Sequence, residues 1–520
     1  MSSLTATPAD MAPVSPYFTV RFFWWGMRWL RRYGVKLVVV VAVLFAAAWY
    51  YEDWRGKHAL QEQRALWMAE YGAMKREDFL PARVPDAENF FASPGMAAFV
   101  VPDNRLQGEA FDKAAWEAEK KMPHAEMMHL RFPTPPSVPG GVKEISSAHG
   151  LKTLDISAWA AAMKSAGKTP PDGSSDAAWL QASMPPEGTI AGLIEALSRP
   201  KSSVLPHVAD RWAVGDQLAD PAAIPIIQTE NAHGYVEQIS LRSRIAARAG
   251  DARTARDLSE IGLRMVEGFA DSANMSGTLA GLGIEGAVLK SVDEGIASGC
   301  WSEADLKHLS NCLERIDEEQ SLFRALSLEG FGWHLWPLEQ MRDFHRKIFQ
   351  IWKTQSGSNF TCTLLSRGPE GWIDANLANH LRWWQMLMIP NSSGDDLIPL
   401  ANRLTEGKAQ LQEEFAAKPN PRNIMARVAL PAIGRMAETA AAHQTHRRQL
   451  ILALALERYR LAKGNFPEKV EALVPEFLPA IPGDPWVPGT AMGYTIGEGN
   501  ERYRLISKGP DGRLAFPVKL

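Results

Sequence analysis

The chain has 520 residues, with 56 Lys and Arg against 59 Asp and Glu and a formal net charge of −3. That balance lacks the basic excess with which a nucleic-acid binder collects phosphates, so no nucleic-acid partner is expected. The 46% hydrophobic content excludes a globally disordered chain. Three cysteines, Cys300, Cys312 and Cys362, are too few and too odd a number for a disulfide framework, and they read as ordinary buried thiols.

In chain order, the first feature is VKLVVVVAVLFAAAWYY over 35–51. Counted from Tyr33, it is about the length a helix needs to cross a bilayer. Arg21, Arg28, Arg31, Arg32 and Lys36 precede it, and Glu52 and Asp53 follow it. The positive-inside rule then gives a cytoplasmic tail over 1–32, a single transmembrane signal-anchor over 33–54, and an exterior that begins after it. Trp24, Trp25 and Trp29 on one side and Trp49, Tyr50, Tyr51 and Trp54 on the other match interfacial aromatic belts. A cleaved signal peptide is the competing reading, with Leu37–Phe45 as its apolar region and Ala46-Ala47-Ala48 as its small-residue site. It would require a long leader and an aromatic belt split by the cut. On either reading the bulk is extracytoplasmic; the signal-anchor reading places the chain in the inner (cytoplasmic) membrane as a single-pass protein.

Residues 55–150 read as a stalk and an irregular Pro-rich segment. The stalk is a helix over 55–78 with apolar positions at Leu60, Ala65, Leu66 and Met68. VPDAENFFASPGMAAF (84–99) reads as a turn-rich segment whose apolar anchors pack against a helical body. That body spans 151–425. Short Pro-bounded helices are expected at 155–167, 174–184 and 188–199, then longer ones at 231–249, 252–270, 275–298, 303–316, 318–330 and 395–417. Gly250 suits a left-handed helix end, Asp251 suits the next N-cap, and Ser302 with Asp305 has capping-box spacing. Ala246, Ala249, Ala252 and Ala255 would let paired helices approach closely. The pattern points to tetratricopeptide-like α-hairpins without a clean repeat period.

Among residue types that carry chemistry, Trp333, His334, Trp336, Asp343 and His345 cluster in an aromatic stretch, a candidate ligand-binding pocket. No nucleophile and no metal-ligand spacing accompanies them, and aromatic packing between helices explains them as well. His443 and His446 are three apart on a predicted helix beside Arg447 and Arg448, and read as solvated surface. Arg242 and Arg244 could reach Glu329 as a buried structural tie. No nucleophile elbow, phosphate-binding glycine loop or HExxH is present, so no catalytic residue is assigned.

The last segment, 426–520, changes character. A helix to about 463 meets Gly464-Asn465-Phe466-Pro467, then EKVEALV as a short helix, LPAIPGDPW as an extended turn, and alternating residues for two or three strands. Tyr494 and Ile496 mark one strand, and Tyr503, Leu505 and Ser507 another. In order, Tyr459, Gly464, Phe466, Pro467, Ala472–Val474, Asp484–Trp486, Ser507, Gly509, Asp511 and Gly512 make a pattern that resembles the globular part of the major (G-type) pseudopilin of type II secretion systems. The resemblance implies a long helix packed on a small antiparallel sheet, with a calcium-binding final loop. Of the calcium ligands, only Ser507 and Asp511 remain. The pseudopilin's N-terminal helix and its processing site have no counterpart before this segment. The whole arrangement is also similar to a group of uncharacterised bacterial membrane-anchored helical proteins.

The expected fold is therefore mostly α: a single N-terminal transmembrane helix, an α-hairpin (TPR-like) body, and a small C-terminal α+β pseudopilin-like module with a short antiparallel sheet. The expected function is a membrane-anchored extracytoplasmic interaction or scaffold protein. Its membrane contact would be residues 33–54, and its protein partner would lie in the cell envelope, in a secretion or pilus-like assembly. The alternative is an extracytoplasmic hydrolase or ligand-binding protein using the aromatic 330–390 region.

Overall fold

The computed structural model describes residues 24–71, 83–99, 144–204, 229–325, 368–387, 400–424, 433–497, 503–508 and 514–519, short breaks within these spans aside. After a π-helical turn at Leu30–Gly34 comes helix α1 (Val35–Tyr71). Strands β1 (Glu144–Ser146) and β2 (Lys152–Leu154) pair antiparallel. Three short helices follow: α2 (Ile156–Ser165), α3 (Asp176–Ala182) and α4 (Gly188–Ala196). The body continues with α5 (Thr229–Ala249), α6 (Ala252–Ala270), α7 (Met275–Ser298) and α8 (Glu303–Glu314). Next are α9 (Glu370–Leu387), α10 (Leu400–Ala416) and α11 (Ile433–Lys463). The chain ends in β3 (Gly493–Ile496), β4 (Tyr503–Lys508) and β5 (Leu514–Lys519). The fold is mostly helical, with small antiparallel sheets.

Local signals place the boundaries of the central helices. Gly250 takes φ +82°, a left-handed conformation that costs a residue without Cβ nothing. There the Gly250 and Asp251 N–H groups close back onto the carbonyls of Ala247 (3.2 Å) and Ala246 (2.9 Å). Asp251 Oδ1 then accepts the Thr254 N–H at 3.2 Å and starts α6. At α8 the Ser302–Asp305 box is complete: Ser302 Oγ accepts from Asp305 N and Asp305 Oδ2 accepts from Ser302 N. The predicted 318–330 helix falls mostly outside the described residues.

Helices α5, α6 and α7 each pack on the other two. Their contact is close because small residues meet at its centre. Ser243 Oγ lies 2.9 Å from Ser259 Oγ, which donates to Ser291 Oγ at 3.1 Å, and Ser291 donates to the Val288 carbonyl. All three serines are buried, and the chain of hydrogen bonds meets the requirement that buried hydroxyls be satisfied. The 84–99 segment covers one side, as its apolar anchors suggest. Phe91 meets Phe269 edge-on at 5.9 Å and Phe99 meets Tyr235 at 5.5 Å. Asn89 holds the segment in place by a two-way bond to the Ser203 backbone, at 3.0 and 2.9 Å.

Helix α1 corrects the stalk expectation. It is one continuous helix whose first half is apolar and exposed on every side, and whose second half packs along α9. The buried stripe is Gly56, Leu60, Gln63 and Trp67, while Leu66 and Met68 face outward. Spacings of four, three and four residues put one face against one partner helix. Trp383 and Trp384, on α9, are buried, so this part of the aromatic region serves packing.

The C-terminal segment is not separated from the body by a break in the core. On α11, Leu450 through Leu456 are buried, and they belong to the same apolar cluster as Phe466, Leu473, Met492, Tyr503 and Leu505. Gly464 ends α11, and the expected second short helix is a 3-10 turn, Val470–Leu473. Strands pair in the order β3-β4-β5, all antiparallel. Along β4, Tyr503, Leu505 and Ser507 point inward, the alternation expected of a sheet with one covered face. The DPW turn is bound to α11 through Trp486 Nε1 donating to Thr445 Oγ1 (2.8 Å) and Arg448 donating to the Gly483 carbonyl (2.9 Å).

Candidate functional site

Trp333, His334, Trp336, Asp343 and His345 lie outside the described residues, as do Asp511, Glu329 and Cys362. Ser507 is buried, and its hydroxyl donates to Asp484 Oδ1 at 2.7 Å. Asp484 also accepts from the backbone N–H groups of Trp486 (3.0 Å) and Lys508 (2.8 Å). The Ser507 oxygen thus ties β4 to the DPW turn, and only one of the two predicted calcium ligands can be placed.

The densest buried chemistry lines α7. Glu285, Asp293 and Glu294 are all buried, and each faces basic side chains from a neighbouring helix. Glu285 meets Arg447 (3.3 Å) and His443 (3.4 Å) on α11. Asp293 meets His446 at 3.1 Å. Glu294 faces α5, with Arg244 at 3.1 Å and Arg248 at 3.7 Å, and also accepts the Leu154 N–H at 2.9 Å. Arg244 is thus tied to a carboxylate, Glu294, while the expected partner Glu329 lies outside the described residues. His443 and His446 are not solvated surface: they lie at the α7–α11 contact, and His446 is 29% exposed. Two histidines three apart next to two arginines look polar in a sequence. The partner that buries them lies some 150 positions away in the chain, and only the fold brings it close.

The charges also determine how this seam titrates. Burial disfavours a charged His446, but the Asp293 carboxylate, aided by Glu285, outweighs it and holds the imidazole above its usual pKa of 6.5. A raised folded-state pKa stabilises the protein fully below the unfolded value, and that contribution is lost as pH rises through the folded value. The fall in urea midpoint caused by His446→Gln should therefore be largest below about pH 6.5 and shrink toward alkaline pH. A pH-independent loss, read from urea titrations at several pH values, would contradict this assignment.

A second cluster joins α6 to α8. His308 Nε2 is 2.6 Å from Glu260 Oε2 and 3.8 Å from Cys312 Sγ. Arg315 donates to the same sulfur at 3.3 Å. Burial, then the nearby Glu260 carboxylate, pushes the Cys312 thiol up to about 11. His308 and Cys312 are one helical turn apart, a signal present in the sequence. Glu260 comes from another helix and carries no such signal. No protein-family model, curated protein or solved structure matches the chain.

Proposed function

We propose that the chain is a membrane-anchored scaffold whose helical body and C-terminal module present surfaces to a protein partner in the cell envelope. The observation that carries this reading is α1. Its exposed apolar half is long and apolar enough to cross a bilayer, and the same helix continues into the body without a joint. An anchor continuous with a packed helix holds the body at a set orientation to the membrane, as a docking platform requires. The arginine-rich flank before the apolar run supports a cytoplasmic N-terminus and an extracytoplasmic body at the inner membrane. Paired helices α5–α7 support the tetratricopeptide-like α-hairpin reading. A long α11 against a three-stranded antiparallel sheet supports the pseudopilin-like reading of the tail, and with it a secretion or pilus-like assembly as the partner. Each carboxylate of the α7 seam is already engaged by a basic side chain of a neighbouring helix, which favours bracing over acid–base catalysis.

The test places a photo-crosslinking amino acid in the full-length, membrane-embedded chain. Exposed tail positions Thr495 and Lys508 are compared with exposed body positions Lys290 and Lys307. Capture of secretion or pilus-type subunits from the tail positions is the expected result. Capture from the body positions alone would move the docking surface to the helices. Absence of any crosslinked protein from all four positions would overturn this docking reading.

A further inference from the structure

We propose that Glu260, His308 and Cys312 form a binding site for a single zinc-class divalent cation between α6 and α8. The three residues offer oxygen, nitrogen and sulfur, the mixed donor set that suits a borderline-soft ion. Their donor atoms all lie within 4.8 Å of one another. Tetrahedral zinc would place sulfur and nitrogen roughly 3.5 Å apart and nitrogen and oxygen roughly 3.3 Å apart. The Cys312–His308 separation of 3.8 Å is near the first value. The Glu260–His308 contact, at 2.6 Å, is a hydrogen bond and must open by roughly 0.7 Å, which the rotatable glutamate side chain permits.

One feature of the geometry favours a shared ion over a simple helix–helix tie. A single ring nitrogen, His308 Nε2, addresses both the carboxylate oxygen and the thiol sulfur. It has one lone pair or one proton, so it cannot serve both well, whereas an ion on the nitrogen's axis can be shared by all three. Glu260 and Cys312 are buried, and the His308 side chain is 45% exposed. The site is therefore buried on one side and reachable from solvent on the other. Arg315 reaches the sulfur as a donor, the outer-shell contact that supports a metal-bound thiolate, while its charge lowers affinity for the cation. Binding replaces the thiol proton with a sulfur–metal bond and releases that proton to solvent, so affinity rises with pH.

The full-length chain in detergent, stripped of metal, is titrated with Co²⁺ and back-titrated with Zn²⁺. One equivalent of Co²⁺ should produce a thiolate-to-cobalt charge-transfer band that Zn²⁺ abolishes. Cys300→Ser and Cys362→Ser should keep the band, and Cys312→Ser should lose it. Glu260→Gln, which preserves an acceptor for His308 and thus the helix contact, should weaken Co²⁺ binding roughly tenfold or more with unchanged circular dichroism. A folded wild-type chain without the band, a band that survives Cys312→Ser, or a Glu260→Gln variant with undiminished affinity would overturn the site.

Discussion

Gly371→Ala is expected to lower the stability of the full-length protein by about 3 kcal/mol, at the upper end of overpacking costs. A Cβ at Gly371 would sit 2.0 Å from the Glu52 carbonyl oxygen, and one at Gly56 would sit 2.0 Å from the Gly371 carbonyl oxygen. Both clashes are with backbone, so no side-chain rotation relieves them and α1 and α9 must separate. Separation would strain a set of polar contacts at the same crossing. Asp53 accepts the Gly371 N–H at 2.8 Å at the start of α9, where the helix dipole favours an anion. Glu52 accepts from Trp372 Nε1 at 3.0 Å and from Arg422 Nε at 2.8 Å. Farther along, Gln63 donates to Gln385 at 2.6 Å. Chemical denaturation followed by tryptophan fluorescence reads this directly, since Trp67, Trp372, Trp383 and Trp384 line or flank the contact. Gly283→Ala is the control. It is an exposed position inside α7 where, among the described residues, an added Cβ meets only His233 Nδ1, at 3.9 Å, and alanine there should stabilise by about 0.5–1 kcal/mol. A midpoint for Gly371→Ala equal to wild type would mean the crossing is not present in solution.

Arg244→Met should cost about 3–5 kcal/mol, because Glu294 is 0% exposed and would lose its nearest cation. Burial already pushes the Glu294 carboxyl above its usual range, and Arg244 is the main group pulling it back. Leu154 N–H needs the Glu294 oxygen as acceptor, so the informative partner variant is Glu294→Gln, which retains one. The double variant Arg244→Met, Glu294→Gln should recover most of the loss, since the neutral amide needs no counter-charge. Equal losses in the single Arg244→Met and the double variant would show that the arginine acts through packing of its aliphatic stem and not through charge.

The two predictions differ in how far they could be read from the chain. Arg244 was legible as one half of a buried tie, since an arginine in the middle of an apolar helical pattern demands a carboxylate. Which carboxylate was not legible: the α5–α7 packing brings Glu294, fifty positions along the chain, to Arg244. Gly56 and Gly371 gave no signal, because a glycine in a helix is informative only once the neighbouring backbone is known. The His443–His446 pair was misread for a related reason. Polar residues at helical spacing look exposed until an opposite charge on another helix is found to bury them.

What the amino-acid order determined by itself is local. The apolar run after the arginines, the end of α5 and the start of α6, the capping box of α8, the stop at Gly464 and the alternation of β4 all depend on residues a few positions apart. Backbone conformation and helix capping are decided at that range. The tertiary structure alone decided that the apolar helix α1 runs unbroken into the body and is clamped by α9. It also decided that α11 is shared between body and tail, and that Glu260 meets His308 and Cys312. Those juxtapositions depend on contacts between residues far apart in the chain, which follow from joint packing of several apolar faces and not from any one of them.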